Sequence, residues 1–547
     1  MTQINYHTPQ EAKALFGRGG EFAVLDVREQ EEFSRSHMLL ASCAPLSRLE
    51  MMVLDLVPCK CAPVVLVDSG EETGPSAQGR AERAATVLAG LGYEKPLVLK
   101  GGMKAWLEAG YVEVTGVGAL TKGFGEYVEE EQHTPRLDPK EIKAIMDSGK
   151  PFVVIDVRPR EEYSNMNIPG SINAPGCEVT YRIADLAPDP ETTIIINCAG
   201  RTRSIIGTQT LRNAGIPNTV VALKGGTMNW QTFGGYPLEY GTQRRTAPPS
   251  PAALDIARKR AATVAEKYGI SFIDAATLDA WQAESGKRTL YVFDVRQPEE
   301  FVGGHIPGSR SAQGGQLVQA MDEYAAVRGA RFVLVDDTEV RAILTAHWLK
   351  QLGVPQVHVL RGGLGGSGLG ARGLVRGEAP PALPPLPGVS LISAVTLAKR
   401  LSGNEPPLLI NVGVSKIHRK GHIPGAVWVT RGYMERAKAA YPDAKSVIVT
   451  ADSDAHVHFA TQDAIKLWPD ASVLALQGGN PAWAAGLSLE EGMPTALCAE
   501  DDVWYKPYTD LNVKKEAVQG YFDWEFGLVE RIKKDGDVRF ALVAPGR

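Results

Sequence analysis

The chain has 547 residues, of which 44% are hydrophobic and 22% are charged, with 58 lysines and arginines against 63 aspartates and glutamates. This composition is ordinary for globular proteins, and the length suggests roughly three to five domains because one hydrophobic core does not grow so large. The charge balance argues against nucleic-acid binding, and no segment approaches the ~20 uninterrupted apolar residues of a membrane span.

The sequence consists of four copies of one unit. A strand pattern that ends in Asp-Val-Arg recurs at Asp26, Asp156 and Asp294, and becomes Asn-Val-Gly at Asn411. Each copy closes with a pair of glycines, at 101/102, 225/226, 362/363 and 478/479. We therefore predict four tandem domains and an aromatic-rich C-terminal extension, with the boundaries 1–128, 129–245, 252–378, 388–497 and 498–547.

Composition changes mark the connections between the copies. Residues 116–132 hold a glycine cluster and an acidic run, residues 241–251 and 379–388 are rich in proline, and residues 252–268 have a helical pattern. The extension contains the aromatic residues Trp504, Tyr505, Tyr508, Tyr521, Phe522, Trp524 and Phe526. It is too apolar to be disordered, and we expect it to pack on another domain or across an oligomer interface.

Strand and helix patterns alternate within the second unit. They predict helices over 138–148, 160–163, 204–213 and 227–232, and strands over 152–156, 194–197 and 220–223. Such alternation predicts an α/β fold with a mainly parallel sheet flanked by helices, in which ligands bind at the carboxyl ends of the strands.

A cysteine lies at one of these strand ends. Cys198 follows the buried strand, and Ser204 is suited to cap the helix that comes next. Helix N-termini present unpaired N–H groups, and Arg201 and Arg203 add positive charge, so we expect the Cys198 thiol to ionise more readily than a free cysteine. The alternative interpretation is a small buried hydrophobic residue.

The loop Cys-Ala-Gly-Arg-Thr-Arg-Ser at 198–204 has Asp156-Val157-Arg158 before it and Lys224-Gly225-Gly226 with Trp230 after it. With these flanking motifs it resembles the rhodanese family of sulfurtransferases, and the resemblance extends over four tandem rhodanese-like domains. Phosphatase-type loops of related shape place an arginine one residue farther from the cysteine, where this chain has Ser204. The smaller ring suits a single sulfur atom carried on the cysteine.

The resemblance implies a sulfurtransferase in which Cys198 is the catalytic nucleophile. Its thiolate would take sulfur from thiosulfate or a persulfide donor and pass it to cyanide or a thiol. The implied substrate-binding residues are those whose backbone amides and side chains surround the sulfur: Ala199, Gly200, Arg201, Thr202, Arg203 and Ser204. No metal or organic cofactor is implied.

Two alternatives remain open. In the first, the protein is a persulfide-carrying relay or scaffold that delivers sulfur to a protein partner. In the second, less favoured because of the loop length, it is a cysteine-dependent phosphatase or arsenate reductase. The sequence also leaves open a homo-oligomer.

The other three copies lack a thiol at this position. Aligned on the following helix, they have Ser69, Asp337 and Asp452 there, while Arg80 and Arg341 match Arg203. A carboxylate under the helix terminus would imitate a bound anion, so we expect these copies to be structural or regulatory.

The other polar motifs are interpreted as structural. The Asp156–Arg158 pair recurs in copies without a thiol, which favours an ion pair over acid–base catalysis. The recurring turn histidines His305 and His422 are poor candidates for a general base for the same reason. His456 and His458 lie near aspartates, but a solvated loop is favoured over a metal site.

Six cysteines are too few for a disulfide scaffold and fit a reducing compartment, so we predict a cytoplasmic protein. Cys59 and Cys61 form a close pair, but neither a second pair nor a nearby histidine completes a zinc site. Three further cysteines are interpreted as structural: Cys43, Cys177 and Cys498.

Overall fold

The computed structural model describes residues 4–70, 79–365, 369, 373–506 and 514–543. It contains four sheets built from parallel strands, each flanked by helices, which confirms the α/β fold and the fourfold repeat.

The first unit contains β1 (Asn5–His7), α1 (Pro9–Gly17), β2 (Phe22–Asp26), α2 (Gln30–Arg35), β3 (Ser42–Cys43), α3 (Leu49–Leu56), β4 (Val64–Val67), α4 (Arg80–Gly90), β5 (Pro96–Leu99) and α5 (Gly102–Glu108). A connecting helix, α6 (Ala119–Gln132), follows it. The second unit contains β6 (Arg136–Leu137), α7 (Pro139–Asp147), β7 (Phe152–Asp156), α8 (Arg160–Asn165), β8 (Ile172–Asn173), α9 (Glu178–Leu186), β9 (Thr193–Asn197), α10 (Thr202–Asn213), β10 (Val220–Leu223) and α11 (Gly226–Thr232).

A second connecting helix, α12 (Pro251–Lys267), leads into the third unit. That unit contains β11 (Ser271–Ile273), α13 (Ala275–Ala283), β12 (Leu290–Asp294), α14 (Pro298–Gly303), β13 (Arg310–Ser311), α15 (Gly314–Gln319), α16 (Met321–Tyr324), β14 (Val327–Arg328), β15 (Arg331–Val335), α17 (Val340–Leu352) and β16 (Val357–Leu360). The fourth contains β17 (Leu391–Ile392), α18 (Ala394–Leu401), β18 (Leu408–Asn411), α19 (Ser415–Lys420), β19 (Val427–Trp428), α20 (Met434–Ala440), β20 (Ser446–Thr450), α21 (Asp454–Leu467), β21 (Ser472–Leu476) and α22 (Gly479–Ala484). The extension forms α23 (Lys515–Asp535).

The sheets share one strand order. In the second unit it is β6-β10-β9-β7-β8, and the third and fourth units repeat it as β11-β16-β15-β12-β13 and β17-β21-β20-β18-β19. The central strand β9 is apolar and buried because helices cover both faces of the sheet. Its carboxyl end therefore opens onto the loop that carries Cys198.

The elements predicted for the second unit are all present. The strands at 152–156 and 220–223 have the predicted bounds. Helix α10 begins at Thr202, two residues before the predicted start, and its N-cap is Arg201. Ser204 therefore does not cap the helix, because it lies inside the first turn.

The first sheet contains a strand from another unit. Strand β14 of the third unit pairs antiparallel with β2, with Val327 opposite Ala23. Tyr291 of the third unit also donates a hydrogen bond from its hydroxyl to the Leu56 carbonyl. These contacts join the first and third units, although the second separates them in the sequence.

The connecting helix α6 is almost entirely buried. It packs against α10 of the second unit and against α23 of the extension. The predicted boundary between residues 128 and 129 falls inside this helix. The C-terminal helix thus packs on another part of the chain, as the aromatic residues of the extension indicated. The predicted aromatic Tyr508 lies outside the described residues.

The Asp-Val-Arg motif forms a buried ion pair. Arg158 donates from Nε and Nη2 to the Asp156 carboxylate at 2.9 Å and 2.7 Å, and from Nη2 to the Met166 carbonyl at 2.6 Å. The same arrangement recurs in the first and third units. This recurrence supports a structural role, because the pair ties the strand end to the turn after the short acidic helix.

None of the helices in the described part of the chain is both long enough and apolar enough to cross a membrane.

A buried ion pair between the first and fourth units provides a test of this assembly. Arg431 donates two hydrogen bonds of 2.8 Å to Glu50, and both side chains are buried. We expect Arg431→Met to lower the free energy of unfolding by about 3 kcal/mol, since Glu50 would be left buried without its partner.

Urea denaturation followed by circular dichroism measures this change. The matched control is Lys143→Met, which removes an exposed ion pair with Asp147. It should lower the free energy of unfolding by less than about 1 kcal/mol. Equal effects of the two substitutions would contradict a structural role for the buried pair.

Candidate active site

Cys198 lies where strand β9 ends and helix α10 is about to begin. The four residues from Cys198 to Arg201 form the whole connection between these elements. Because the loop is so short, the first turn of α10 directs its backbone N–H groups towards the cysteine. The position of the thiol under a helix N-terminus is therefore as the sequence indicated.

The Gly225–Gly226 pair allows the neighbouring chain to approach this loop closely. Both glycines have positive φ, and a Cβ atom on Gly226 would lie 2.4 Å from the Cys198 carbonyl oxygen. The absence of a side chain lets the Thr227 N–H donate to that oxygen at 2.8 Å. The repeated glycine pair is thus a requirement of close packing against the loop.

The Cys198 thiol is buried, with only 1% of the residue exposed. Its Sγ donates to the Ser204 hydroxyl oxygen at 3.5 Å, and that hydroxyl donates to the Arg201 carbonyl at 2.8 Å. The backbone N–H groups of Gly200 and Ser204 donate to the sulfur. Two amides of the predicted cradle therefore face the thiol.

Burial raises the pKa of the Cys198 thiol above its ordinary value of 9.0. The positive charge of Arg203 and the hydrogen bonds from Ser204 and Gly200 act in the opposite direction but do not offset the loss of hydration. The expectation that this cysteine ionises more readily than a free one is wrong, because the loop is covered rather than open to water.

Arg201 points away from the thiol. Its guanidinium group donates to Glu126 at 2.7 Å and 2.6 Å and to Glu129 at 2.5 Å, and both carboxylates belong to α6. The Arg201 side chain is only 2% exposed. Its expected role as a charge that binds an anionic donor does not fit this geometry, because two carboxylates already neutralise it.

Arg203 is paired as well. It donates to both oxygens of Glu162 at 2.8 Å and 2.7 Å, and to Gln316 of the third unit at 3.2 Å. This contact lowers the pKa of Glu162 to about 2. Arg203 still acts electrostatically on Cys198, so it influences the thiol while it holds the short helix α8 against the loop.

The backbone corrects the alignment of the thiol position in the other units. In each unit, the residue after the glycine pair donates its N–H to the carbonyl of the residue that follows the central strand. That acceptor is Cys198 in the second unit, and the equivalents are Asp68, Asp336 and Ala451. The expected equivalents Ser69, Asp337 and Asp452 are each one residue too late, because the connections between strand and helix differ in length among the units, so an alignment on the helix does not align the strand ends.

The aspartates fill the position that the cysteine sulfur has in the second unit. Asp68 accepts hydrogen bonds of 3.0 Å from the backbone N–H groups of Gly70 and Ala81. Asp336 accepts one of 3.0 Å from the N–H of Arg341, which follows it by five residues, as Arg203 follows Cys198. The first and third units thus hold an aspartate carboxyl group in the amide cradle.

The remaining candidates take no part in this site. Lys224 forms an exposed ion pair with Asp138. Cys59 and Cys61 form a disulfide, which the sequence analysis did not anticipate, and the other cysteines are free. In the residues for which coordinates are described, no group of three or more His, Cys, Asp or Glu side chains is arranged to hold a metal ion.

Sequence reasoning missed the elements that cover the loop. Tyr521 and Phe522 of α23 form an apolar cluster with Met228 of α11, next to Gly200 and Gly225. The acidic run of α6 supplies the partners of Arg201. The sequence signals for these elements are the aromatic composition of the extension and the acidic run of α6. Neither signal indicates which part of the chain the element packs against.

The fold and the loop define the class of protein: a tandem α/β repeat in which one unit keeps a cysteine inside an amide cradle. The family model for the rhodanese-like domain matches residues 8–109, 138–233 and 274–366. The chain belongs to the rhodanese-like domain family. The fourth unit lies outside the matched ranges but has the same strand order.

Solved and curated proteins show related sequences. The crystal structure of a thiosulfate sulfurtransferase from Pseudomonas aeruginosa is 42% identical, with a TM-score of 0.93 over 99% of this chain and 100% of that one. A putative sulfur carrier protein, YrkF, from Bacillus subtilis is 28% identical over 22% of this chain and 70% of its own length. An uncharacterized Bacillus subtilis protein, YqhL, is 35% identical over 16% of this chain and 68% of its own length.

The raised pKa of Cys198 predicts the pH dependence of its alkylation. Only the thiolate reacts, so the rate constant with iodoacetamide should rise about tenfold per pH unit between pH 7 and 9, without a plateau. Intact mass spectrometry with peptide mapping measures the rate, and Cys198→Ser is the control. A plateau below pH 8 would contradict the effect of burial.

Proposed function

We propose that this protein is a sulfurtransferase that moves sulfane sulfur through a persulfide on Cys198. The observation that carries the proposal is the amide cradle, which holds a carboxylate in the first unit and faces a sulfur in the second. A cradle that accommodates an anion suits a thiolate and also the terminal sulfur of a persulfide.

The proposed reaction is a double displacement. The Cys198 thiol first loses its proton to solvent, and the thiolate attacks the outer sulfur of thiosulfate. The new S–S bond forms as the bond to the sulfonate sulfur breaks, and sulfite leaves with the electron pair. Cyanide or a thiol then attacks the terminal sulfur, and the thiolate of Cys198 is restored.

The arginines have an indirect role in this proposal. Arg203 stabilises negative charge on the sulfur through space, while its bidentate contact with Glu162 keeps the loop in one conformation. Arg201 fixes the same loop to α6. The preorganised N–H groups of Gly200 and Ser204 then meet the developing charge without rearranging.

Similarity to the Pseudomonas aeruginosa thiosulfate sulfurtransferase supports thiosulfate as the donor and supports an enzymatic role. The match to a putative sulfur carrier protein favours a second candidate, in which Cys198 passes sulfur to a protein thiol. Both candidates share the persulfide and differ in the acceptor.

The persulfide has a direct test. After incubation with thiosulfate, the protein should gain about 32 Da, the mass of one sulfur atom, and cyanide should remove it. Cys198→Ser should show no gain. Cys177→Ser is the matched control, since its buried thiol lies against Thr345, and it should gain the same mass as the wild type. An adduct on any other cysteine would contradict the assignment.

Acceptor kinetics separate the two candidates. For an enzyme that uses small molecules, we expect steady turnover of thiosulfate with cyanide, followed as thiocyanate, and none in Cys198→Ser. Negligible turnover with cyanide and glutathione, together with rapid transfer to a reduced protein thiol, would favour the relay. Hydrolysis of a generic phosphoester without thiosulfate turnover would contradict both.

A further inference from the structure

The C-terminal helix α23 lies against the loop that carries Cys198. We call the side chains of Met228, Tyr521 and Phe522 the aromatic wall. They are buried in one cluster with Val518. A Cβ atom on Gly200 would lie 3.0 Å from Met228 Cε and 3.8 Å from Tyr521 Cε1. The wall therefore touches the peptide whose N–H donates to the Cys198 sulfur.

A second contact places the wall against the glycine pair. A Cβ atom on Gly225 would lie 2.9 Å from Phe522 Cζ, and Gly226 lies directly against the Cys198 carbonyl. The wall thus covers both chain segments that form the loop.

The helix is held in place by aromatic and charged contacts with α6. The Lys122 ammonium group lies 5.1 Å from the ring centre of Trp504 and 4.9 Å from that of Trp524. The Trp524 indole N–H donates to the Thr115 carbonyl at 3.1 Å. The Tyr521 hydroxyl donates to Glu525, which is buried on the same helix. These contacts fix the orientation of the wall residues.

The loop itself is tied to the same helix. The Arg201 guanidinium carbon lies 4.3 Å from the ring centre of Phe526, while its nitrogens contact the carboxylates of α6. A bidentate, stacked arginine leaves little freedom for the loop to move away from the wall. The wall and the cradle therefore form one rigid unit.

We propose that the aromatic wall determines which sulfur donors and acceptors reach Cys198, admitting compact molecules such as thiosulfate and cyanide and excluding bulkier thiols such as glutathione. The packed side chains of the wall restrict the space beside the loop that carries Cys198, and the Tyr521 hydroxyl is already bonded to Glu525. This inference rests on the proposed function for its substrates. It assigns the choice of substrate to the C-terminal extension.

The test compares access of two reagents to Cys198. Iodoacetamide is compact and N-phenylmaleimide is bulky, and peptide mapping follows the alkylation of Cys198 by each. In Tyr521→Ala/Phe522→Ala, we expect the rate with the maleimide to rise about tenfold and the rate with iodoacetamide to change less than about threefold. Tyr521→Leu, a milder change, should show a smaller shift in the same direction.

Two controls make the result decisive. Gln519→Ala alters the exposed face of the same helix, where Gln519 donates a hydrogen bond of 2.8 Å to Asp523, and both rates should stay at their wild-type values. Cys177 is buried between the second and third units, so its alkylation would reveal general unfolding. The proposal would be overturned if, in the folded Tyr521→Leu protein, the rates of Cys198 alkylation by the two reagents rose equally. It would also be overturned if neither rate rose.

Alkylation does not require sulfur transfer, so the two proposals fail separately. If the wall variants admit the maleimide but the wild type gains no sulfur from thiosulfate, the proposed sulfurtransferase function is wrong. The proposal that the wall restricts access to Cys198 is then still supported. If the wild type gains sulfur and the wall variants leave the ratio of glutathione to cyanide turnover unchanged, the proposal that the wall selects substrates is wrong. The proposed sulfurtransferase function is then still supported.

Discussion

The chain that follows the central strand of each sheet leaves backbone N–H groups that need an acceptor, and this need shapes the loops of the first three units. In the first and third units an aspartate supplies the acceptor, and the loop is satisfied without any ligand. In the second unit the acceptor is the sulfur of Cys198. Sulfur accepts hydrogen bonds weakly as a thiol and strongly as an anion, so the amides favour the charged form, while burial opposes it and raises the pKa of the thiol.

The arginine that follows each of these loops has a structural partner. Arg80 contacts Glu32, Arg203 contacts Glu162 and Arg341 contacts Glu300, in each case through a short acidic helix of the same unit. The pair therefore belongs to the architecture of the repeat and does not depend on a thiol. In the second unit Arg203 also acts on the charge of Cys198, as Arg341 acts on that of the equivalent Asp336 in the third.

The candidate site is assembled from three parts of the chain. The second unit supplies the thiol and the amides, the connecting helix α6 neutralises Arg201, and α23 covers the loop. This cover has a physical consequence, since it removes water from the sulfur and raises the pKa of the thiol. A dry site also strengthens the hydrogen bonds that an anionic sulfur would accept.

The repeats in the sequence determined much of this protein. The Asp-Val-Arg and glycine-pair motifs identified four units, and apolar runs such as Ile194–Ile196 identified the central strands. Alternating strands and helices then implied a parallel sheet with Cys198 at a carboxyl edge. These features are local in the chain, so periodicity and spacing were sufficient to predict them.

Only the tertiary structure decided which residues face the thiol. The partners of Arg201 lie 72 and 75 residues away, and Tyr521 and Phe522 of the aromatic wall are more than 300 residues from Cys198, so no local pattern connects them to the loop. Equivalent residues such as Asp68 and Asp336 were found through backbone hydrogen bonds, because loop lengths differ between units. The packing also decides the ionisation of Cys198: the charge of Arg203 and the hydrogen bonds from Ser204 and Gly200 favour the thiolate, but the loss of water outweighs them.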